Sequence, residues 1–447
     1  MLRVTELNSP RTSLLTDHYE LTMIQAALAA GTAHRRSVFE VFARRLPHGR
    51  RYGVVAGTGR FLEELADFTF GGAELDFLRR TGVVDEPTLE FLADYRFSGD
   101  IWGYAEGECF FPGSPVLVVE STFAEGVVLE TLALSILNHD SAVAGAASRM
   151  TAAADTRPCL EMGSRRTHEW SAVSAARAAY IAGFTATSNL EAGRSFGVPT
   201  MGTAAHSFTL LHDQERDAFR AQLDSLGLKT TLLVDTYDVT AAVELAVELA
   251  GPELGGVRLD SGDLVEQAHE VRRQLDGLGA TGTQIVVTSD LDEYAIAALQ
   301  AAPVDAYGVG TKVVTGSGAP AAGMVYKLVA RENCEGVMEG VAKASKDKVS
   351  VGGRKFALRR RNATGVAEAE VLGIGTVPED DGDDRLLLAE LVRQGTVVAP
   401  TDAETAREHH AMSRAELPTR AHRLSPGDPA IRTLYQDERS RAEVEDD

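Results

Sequence analysis

The sequence predicts an α/β fold built around a parallel barrel. Short segments of strand character recur through the middle of the chain. Most are followed by an amphipathic, alanine-rich stretch of helical period, and each ends in a polar cluster. Strand alternating with helix implies parallel strands joined by crossover helices. The strand segments are near-continuously apolar, as a sheet buried on both faces requires.

Taken in chain order, "LLTDHYELTMIQAAL" (14–28) opens a helix with Asp17, His18 and Tyr19 in its first turn. Residues 37–125 mix short strands and helices with Gly/Pro punctuation, and 127–150 form one long helix. Seven strand segments then follow: 158–166, 184–190, 198–208, 230–238, 255–264, 283–291 and 304–314. Helices are expected at 169–183, 238–251 and 264–279. Seven such units favour a barrel, complete or not, over a doubly wound sheet. After about residue 330 the rhythm breaks. The basic, Gly-bearing stretch 339–360 carries strand-like pieces, "PEDDGDDR" (378–385) reads as a solvated acidic loop, and 402–417 is helical. Residues 437–447 read as a frayed tail. The expected domains are 1–150, an α+β segment with a helical lead, 151–330, the barrel, and 331–447, which packs with the N-terminal segment.

The 447 residues are 44% hydrophobic, enough to bury one large core or two. The formal net charge of −21 argues against a basic face for nucleic acid or anionic lipid. The three cysteines, Cys109, Cys159 and Cys334, are far apart and form neither a metal-spaced pair nor a disulfide framework. A reducing cytoplasm is therefore expected. No secretion signal is expected at the N-terminus, and no apolar run is expected to cross a bilayer.

The strand ends carry the candidate chemistry: GSRR, TSN, GTAAHS, DTYD, RLDSGD, TSD and GTK. The C-terminal strand ends of a parallel barrel form its functional face. Helix capping explains Asp238 and Asp290. It does not explain Arg165, Arg166, His206, Arg258 and Lys312, because caps use short oxygen-bearing side chains. In "VRLDSGDL", Arg258 and Asp260 alternate and so point the same way. Ser261, Gly262 and Asp263 then turn into a helix whose first N–H groups suit an anion. A buried Arg–Asp pair with Asp263 as cap explains these residues about as well. In "YGVGTKVVTG", Gly308 and Gly310 permit close approach and Thr311 with Lys312 can reach a phosphate, whereas tight strand packing explains the glycines alone. Arg165 and Arg166 suit bidentate contact with carboxylate or phosphate, or a surface ion pair. Asp235 is a lone carboxylate able to hold hydrated magnesium. His206 has no partner at metal-ligand spacing, which argues against zinc. It is either a packed core histidine or, beside the small residues 202–205, a covalent nucleophile.

This ordered set resembles the nicotinate phosphoribosyltransferase family of type II phosphoribosyltransferases. The resemblance runs through "LLTDHYELTM", "SVFEVFARRLP", "GSRR", "TSNLEAG", "GTAAHSF", "LLVDTYD", "VRLDSGDL", "VVTSDLDEY", "YGVGTKVVTG" and "MVYKLV". It extends to "SKDKVSVGGRKFALRR", with Gly352 where the family has proline.

The resemblance implies an atypical, incomplete α/β barrel with a second α+β domain built from both chain ends. It implies a reaction of nicotinate with phosphoribosyl diphosphate, giving nicotinate mononucleotide and diphosphate, coupled to ATP hydrolysis and dependent on Mg2+. His206 then corresponds to a histidine transiently phosphorylated by ATP. Arg258 and Asp260 correspond to contacts with the base and ribose, followed by Ser261 and Gly262. Arg165, with Arg166 beside it, corresponds to a phosphate- or carboxylate-binding arginine. Gly310 and Thr311 correspond to the 5′-phosphate site, and Asp235 to the carboxylate near the magnesium-bound diphosphate. Tyr19 corresponds to an aromatic that reaches the neighbouring active site of a homodimer. Asn189, with Ser188 beside it, stands where the related nicotinamide enzyme has aspartate. Both can donate hydrogen bonds to a carboxylate, which favours nicotinate. The alternatives are a nicotinamide or quinolinate phosphoribosyltransferase, or a non-catalytic nucleotide-binding barrel.

Overall fold

The computed structural model describes residues 12–343 and 351–436. Part of the "SKDKVSVGGRKFALRR" match (345–350) and the expected tail (437–447) lie outside the described residues. The chain divides into two compact units, one reaching Ala142 and resuming at Ala321, the other Val143–Pro320.

The barrel unit holds six parallel strands: β1 (Cys159–Glu161), β2 (Ala186–Thr187), β3 (Thr231–Leu233), β4 (Gly256–Leu259), β5 (Gln284–Val287) and β6 (Ala306–Val309). They pair in the order β2-β1-β6-β5-β4-β3. The sheet is thus an open, curled half-barrel. Helices cross between strands: α1 (Glu169–Ile181), α2 (Leu190–Phe196), α3 (His206–Leu211), α4 (Glu215–Leu226), α5 (Val239–Ala250), α6 (Leu264–Gly277), α7 (Glu293–Leu299) and the short α8 (Thr311–Val314). On one sheet face Leu160, Ala186, Val286 and Ala306 pack as a buried cluster. The alternating residues Val257, Leu259, Ile285 and Val287 are 0% exposed, so both faces are covered, as the apolar strands required.

The expected strand at 198–208 is a correction. Thr200 makes one isolated parallel bridge to Thr187, on the outer edge of β2. Residues 201–205 are irregular, and His206 starts α3 instead of ending a strand. The run Gly202-Thr203-Ala204-Ala205 has little side chain to pack on a pleated surface. The seventh strand is therefore missing, and the barrel stays open there.

The other unit joins both chain ends. A seven-stranded antiparallel sheet centres on Arg36–Ala43, between Met324–Glu332 and Leu117–Thr122. Its core includes Phe39 stacked on Tyr326, ring centroids 5.1 Å apart. A four-stranded sheet includes Lys355–Arg361 and Ala367–Ile374. The long helix is Glu130–Ala154 and the C-terminal helix Ala403–Ala415. The expectation that no run is long enough for a bilayer does not hold for Phe123–Ala154. That helical stretch qualifies by length and composition, but 67% of its most apolar window is buried in the protein.

Candidate active site

The polar strand ends of the barrel unit converge on a cavity of about 260 Å³. Arg165, Arg166 and Arg258 stand on its wall with His206, Asp260 and Thr311. Each is delivered by a local break in the fold. β1 ends at Glu161, and Gly163 leads into a 3-10 turn, Ser164–Arg166, that leaves both arginines exposed at the rim. β4 ends at Leu259, which puts Asp260 just beyond the last ladder pair. Asp263 then caps α6 by accepting from Glu266 N–H at 3.1 Å. Capping was expected of Asp238 as well, which accepts from Ala241 N–H at 2.8 Å.

His206 faces two carboxylates. Its Nδ1 meets Thr236 Oγ1 at 3.1 Å. Its Nε2 lies 3.8 Å from Asp260 Oδ2 and 4.0 Å from Asp235 Oδ1. Asp235 anchors the turn after β4, because its Oδ2 accepts from Asp260 N–H at 2.8 Å and Ser261 Oγ–H at 2.9 Å. Its Oδ1 is buried with no hydrogen-bond partner among the described residues. A buried carboxylate oxygen left without a partner is a hard donor of the kind Mg2+ takes, directly or through water.

Arg258 donates to Thr203 Oγ1 at 3.2 Å, and its buried Nε has no partner among the described residues. Burial pulls its guanidinium below the ordinary value, Asp260 and Asp235 oppose that shift, and Arg165 adds to it. Two arginines at the rim and one on the wall thus face the carboxylates. The cavity is built to take a ligand that is anionic at one end and coordinates metal or hydroxyls at the other.

Several expected residues lie elsewhere. Ser261 is used by Asp235, and Gly262 holds a φ of +85° beside Gln267; neither lines the cavity. Lys312 is exposed on α8 and also lies off the lining. Asn189 caps α2, its Oδ1 accepting from Ala192 N–H at 2.9 Å and its Nδ2 donating to Ser164 Oγ at 3.0 Å. Ser188 is exposed beside it. Tyr19 sits on the helix His18–Ala29 of the other unit, 44% exposed. Burial and then the nearby Glu130 and Glu20 carboxylates push its phenol above the ordinary value.

Sequence reasoning missed Met162, Thr288 and Ser289 and misread Asp290. Thr288 donates to Asp260 Oδ1. Asp290 was expected to cap a helix, but the cap of α7 is Asp292, which accepts from Tyr294 N–H at 3.0 Å and Ala295 N–H at 2.9 Å. Asp290 is left to line the cavity. Ser289 holds a φ of +116°, a strained conformation for a residue with a Cβ, and such strain gathers at functional sites. The polar triplet TSD was the available signal. Gly308 lines the cavity and also packs tightly, since a Cβ there would stand 2.5 Å from Thr288 Cγ2.

A curled parallel half-barrel that brings arginines, a histidine and carboxylates to one cavity at its strand ends marks an α/β enzyme with a site for an anionic substrate. Residues 14–138 match the model of the nicotinate phosphoribosyltransferase N-terminal domain. Over 435 residues the chain is 57% identical to nicotinate phosphoribosyltransferase pncB1 of Mycobacterium tuberculosis, covering 95% of this chain and 96% of that one. It is 37% identical over 359 residues to the nicotinate phosphoribosyltransferase of Bacillus subtilis, covering 78% and 73%. The crystal structure of human nicotinic acid phosphoribosyltransferase superposes with a TM-score of 0.82 at 27% identity, covering 96% and 99%. The chain belongs to the nicotinate phosphoribosyltransferase family.

Proposed function

We propose that this protein transfers the phosphoribosyl group of 5-phosphoribosyl 1-diphosphate to nicotinate, in NAD salvage in the cytoplasm, with ATP hydrolysis coupled through a phosphohistidine at His206. The observation that carries the coupling is the His206 imidazole itself. Thr236 holds its Nδ1, while Nε2 faces the cavity between Asp235 and Asp260.

In the transfer, the pyridine nitrogen bonds to C1 of the ribose as the C1–O bond to diphosphate breaks, and diphosphate leaves with the electron pair. Positive charge grows on the sugar, as in glycosyl transfer. Asp260, fixed by Thr288 and by its own N–H on Asp235, is placed to hold the ribose. Arg165, Arg166 and Arg258 supply charge-assisted hydrogen bonds to the anionic groups, and Gly310 and Thr311 begin α8 beside the 5′-phosphate. Asp235, with Asp260 through water, would hold Mg2+, and the ion would supply positive charge to the departing diphosphate.

In the coupling step, Nε2 of neutral His206 bonds to the γ-phosphorus of ATP and ADP leaves. Water later takes the phosphoryl group and restores the imidazole. Selection of acid over amide falls to Ser188 and Asn189, since the Ser188 hydroxyl and the second N–H of Asn189 Nδ2, the first being given to Ser164, can donate to a carboxylate. The protein acts as a homodimer in which Tyr19 of one copy stacks on the pyridine in the other.

Diphosphate release measured with nicotinate, nicotinamide and quinolinate, each with and without ATP and Mg2+, tests this. Release with nicotinate alone, enhanced by ATP, is expected. Equal turnover of nicotinamide, or carbon dioxide release from quinolinate, would falsify the assignment.

A further inference from the structure

Glu161 closes β1 with 1% of its surface exposed, yet among the described residues no cation balances it. Burial pushes its carboxyl above the ordinary range, and two hydrogen bonds, from the Thr187 hydroxyl and Gly163 N–H, hold it down. A buried carboxylate without a cation is expensive, and an apolar residue at this strand position would pack without that penalty. The fold alone therefore gives no reason for it.

What it does locally is join two turns. Its side chain accepts from Gly163 N–H, at the start of the turn that carries Arg165 and Arg166. Its other oxygen accepts from Thr187, at the end of β2. Its own carbonyl accepts from Ser188 N–H at 2.8 Å. Thr187 Oγ1 accepts in turn from Asn189 N–H at 3.0 Å, and Asn189 Nδ2 donates back to Ser164 Oγ at 3.0 Å. The circuit is closed: Glu161, Gly163–Ser164, Asn189, Thr187, Glu161. A third strand end meets it at Gly163, where a Cβ would stand 2.9 Å from the Gly310 carbonyl oxygen and 2.3 Å from Val314 Cγ1.

We infer that Glu161 is a positioning residue that fixes the spacing between the Arg165–Arg166 turn and the Ser188–Asn189 turn, and so sets the discrimination between a pyridine carboxylate and its amide. This rests on the substrate-binding role proposed for those turns. Glu161 touches no substrate in this scheme. It acts through the two turns it ties together.

The test compares Glu161→Leu, Glu161→Gln and Thr187→Val with the wild-type chain in the diphosphate-release assay, with nicotinate and nicotinamide each varied. Leucine removes both acceptors, glutamine keeps one for Gly163, and valine cuts the circuit from the β2 side. Glu161→Leu and Thr187→Val are each expected to raise the KM for nicotinate about tenfold, because each opens the circuit that sets the spacing of the two turns, with kcat little changed. The nicotinate-to-nicotinamide ratio of kcat/KM falls by a similar factor, and Glu161→Gln recovers most of it. Combining Thr187→Val with Glu161→Leu adds little, because both cut one circuit. If Glu161→Leu does not fold, Thr187→Val and Glu161→Gln carry the same comparison. Folded variants with a lowered Tm but a wild-type KM and ratio overturn the inference and leave a structural role only. Absence of nicotinate turnover in the wild-type chain overturns the functional reading, and this inference with it.

Discussion

His206 Nε2 stands 4.0 Å from Oδ1 of Asp235, an oxygen that is buried and without a hydrogen-bond partner among the described residues. The pair is incomplete as it stands, since a lone pair and a ring nitrogen face each other too far apart to bond. Thr236 takes up Nδ1 on the other side of the ring. If Nδ1–H donates to Thr236, Nε2 carries the lone pair and is the nucleophilic nitrogen. His206→Ala is then expected to abolish ADP formation, while residual diphosphate release no longer depends on ATP. Thr236→Val, which removes the acceptor that selects the tautomer, is expected to slow phosphorylation about tenfold. Acid-labile labelling from γ-labelled ATP checks both.

Asp235 has a second task, holding Asp260 N–H and the Ser261 hydroxyl at 2.8 and 2.9 Å. Asparagine can keep one acceptor oxygen for that turn, but it loses the charge. Asp235→Asn is expected to stay folded and to need about tenfold or more Mg2+ for half-maximal diphosphate release, as when a carboxylate near a metal is neutralised. A magnesium titration of the variant reads this directly. An unchanged midpoint would place the ion elsewhere.

The half-barrel was legible because its strands are apolar on both faces and its helices follow at regular spacing. The segment 198–208 misled because "PTMG" and "AAHSF" frame small residues that resemble a strand in pattern but offer nothing to pack. Of the site, Arg165, Arg166, His206, Arg258, Asp260 and Thr311 all reach the cavity. Cations at strand ends have few structural uses, so they stand out. Asp290 did not stand out, because an aspartate three residues before a helix reads as a cap until Asp292 is seen to do that work. Ser289 could not be found in advance, since its positive φ leaves no mark in composition. Glu161 was invisible for a related reason: a single acid at a strand end gives no sign that it is buried without a cation.

The second unit carries its own buried charges. Arg359 is 0% exposed, with Nη2 at 3.1 Å from Glu370 and 3.4 Å from Glu108, and donates to the Cys109 carbonyl at 2.7 Å. Glu370 is also 0% exposed and accepts from the Tyr104 hydroxyl at 2.7 Å. Removing the cation alone leaves the buried Glu370 carboxylate without its cation. Arg359→Met is expected to cost about 3–5 kcal/mol in urea unfolding, the range for breaking a buried pair from one side. Glu108 retains Arg385 at 2.8 Å, which places the damage mainly on Glu370.

His410 gives the same unit a pH dependence. It is buried, its Nδ1–H donates to the Gly107 carbonyl at 2.9 Å, and burial pulls its imidazole down to about 4. The folded value lies below the ordinary 6.5, so the unfolded chain binds the proton more readily. The contribution is present in full above pH 6.5 and is lost as pH falls from there toward 4. It amounts to about 3 kcal/mol over that window. Unfolding measured at pH 7.5, 6, 5 and 4.5 should show the decline, and His410→Gln should flatten it. A parallel decline in the variant would assign the titration to other groups.

Tyr19 offers the sharpest test of the dimer. It sits on the helix His18–Ala29, in the unit that does not contain His206, and it is 44% exposed. If Tyr19 acts in the neighbouring copy, a site takes its aromatic ring from one chain and its histidine from the other. Tyr19→Ala is expected to raise the KM for nicotinate about tenfold, the worth of a lost ring-stacking contact. Tyr19→Phe should recover most of that, since stacking needs the ring and not the hydroxyl. His206→Ala chains contribute no ATP-coupled turnover of their own. When Tyr19→Ala and His206→Ala chains are co-expressed and the mixed dimer is isolated by two affinity tags, one of its two sites carries both substitutions and the other neither. That dimer should regain the wild-type KM for nicotinate with ATP-dependent turnover at half the wild-type rate per dimer. If Tyr19 serves its own chain's site instead, the only histidine-bearing site in the mixed dimer lacks the ring. Its turnover would then keep the raised KM of the Tyr19→Ala variant.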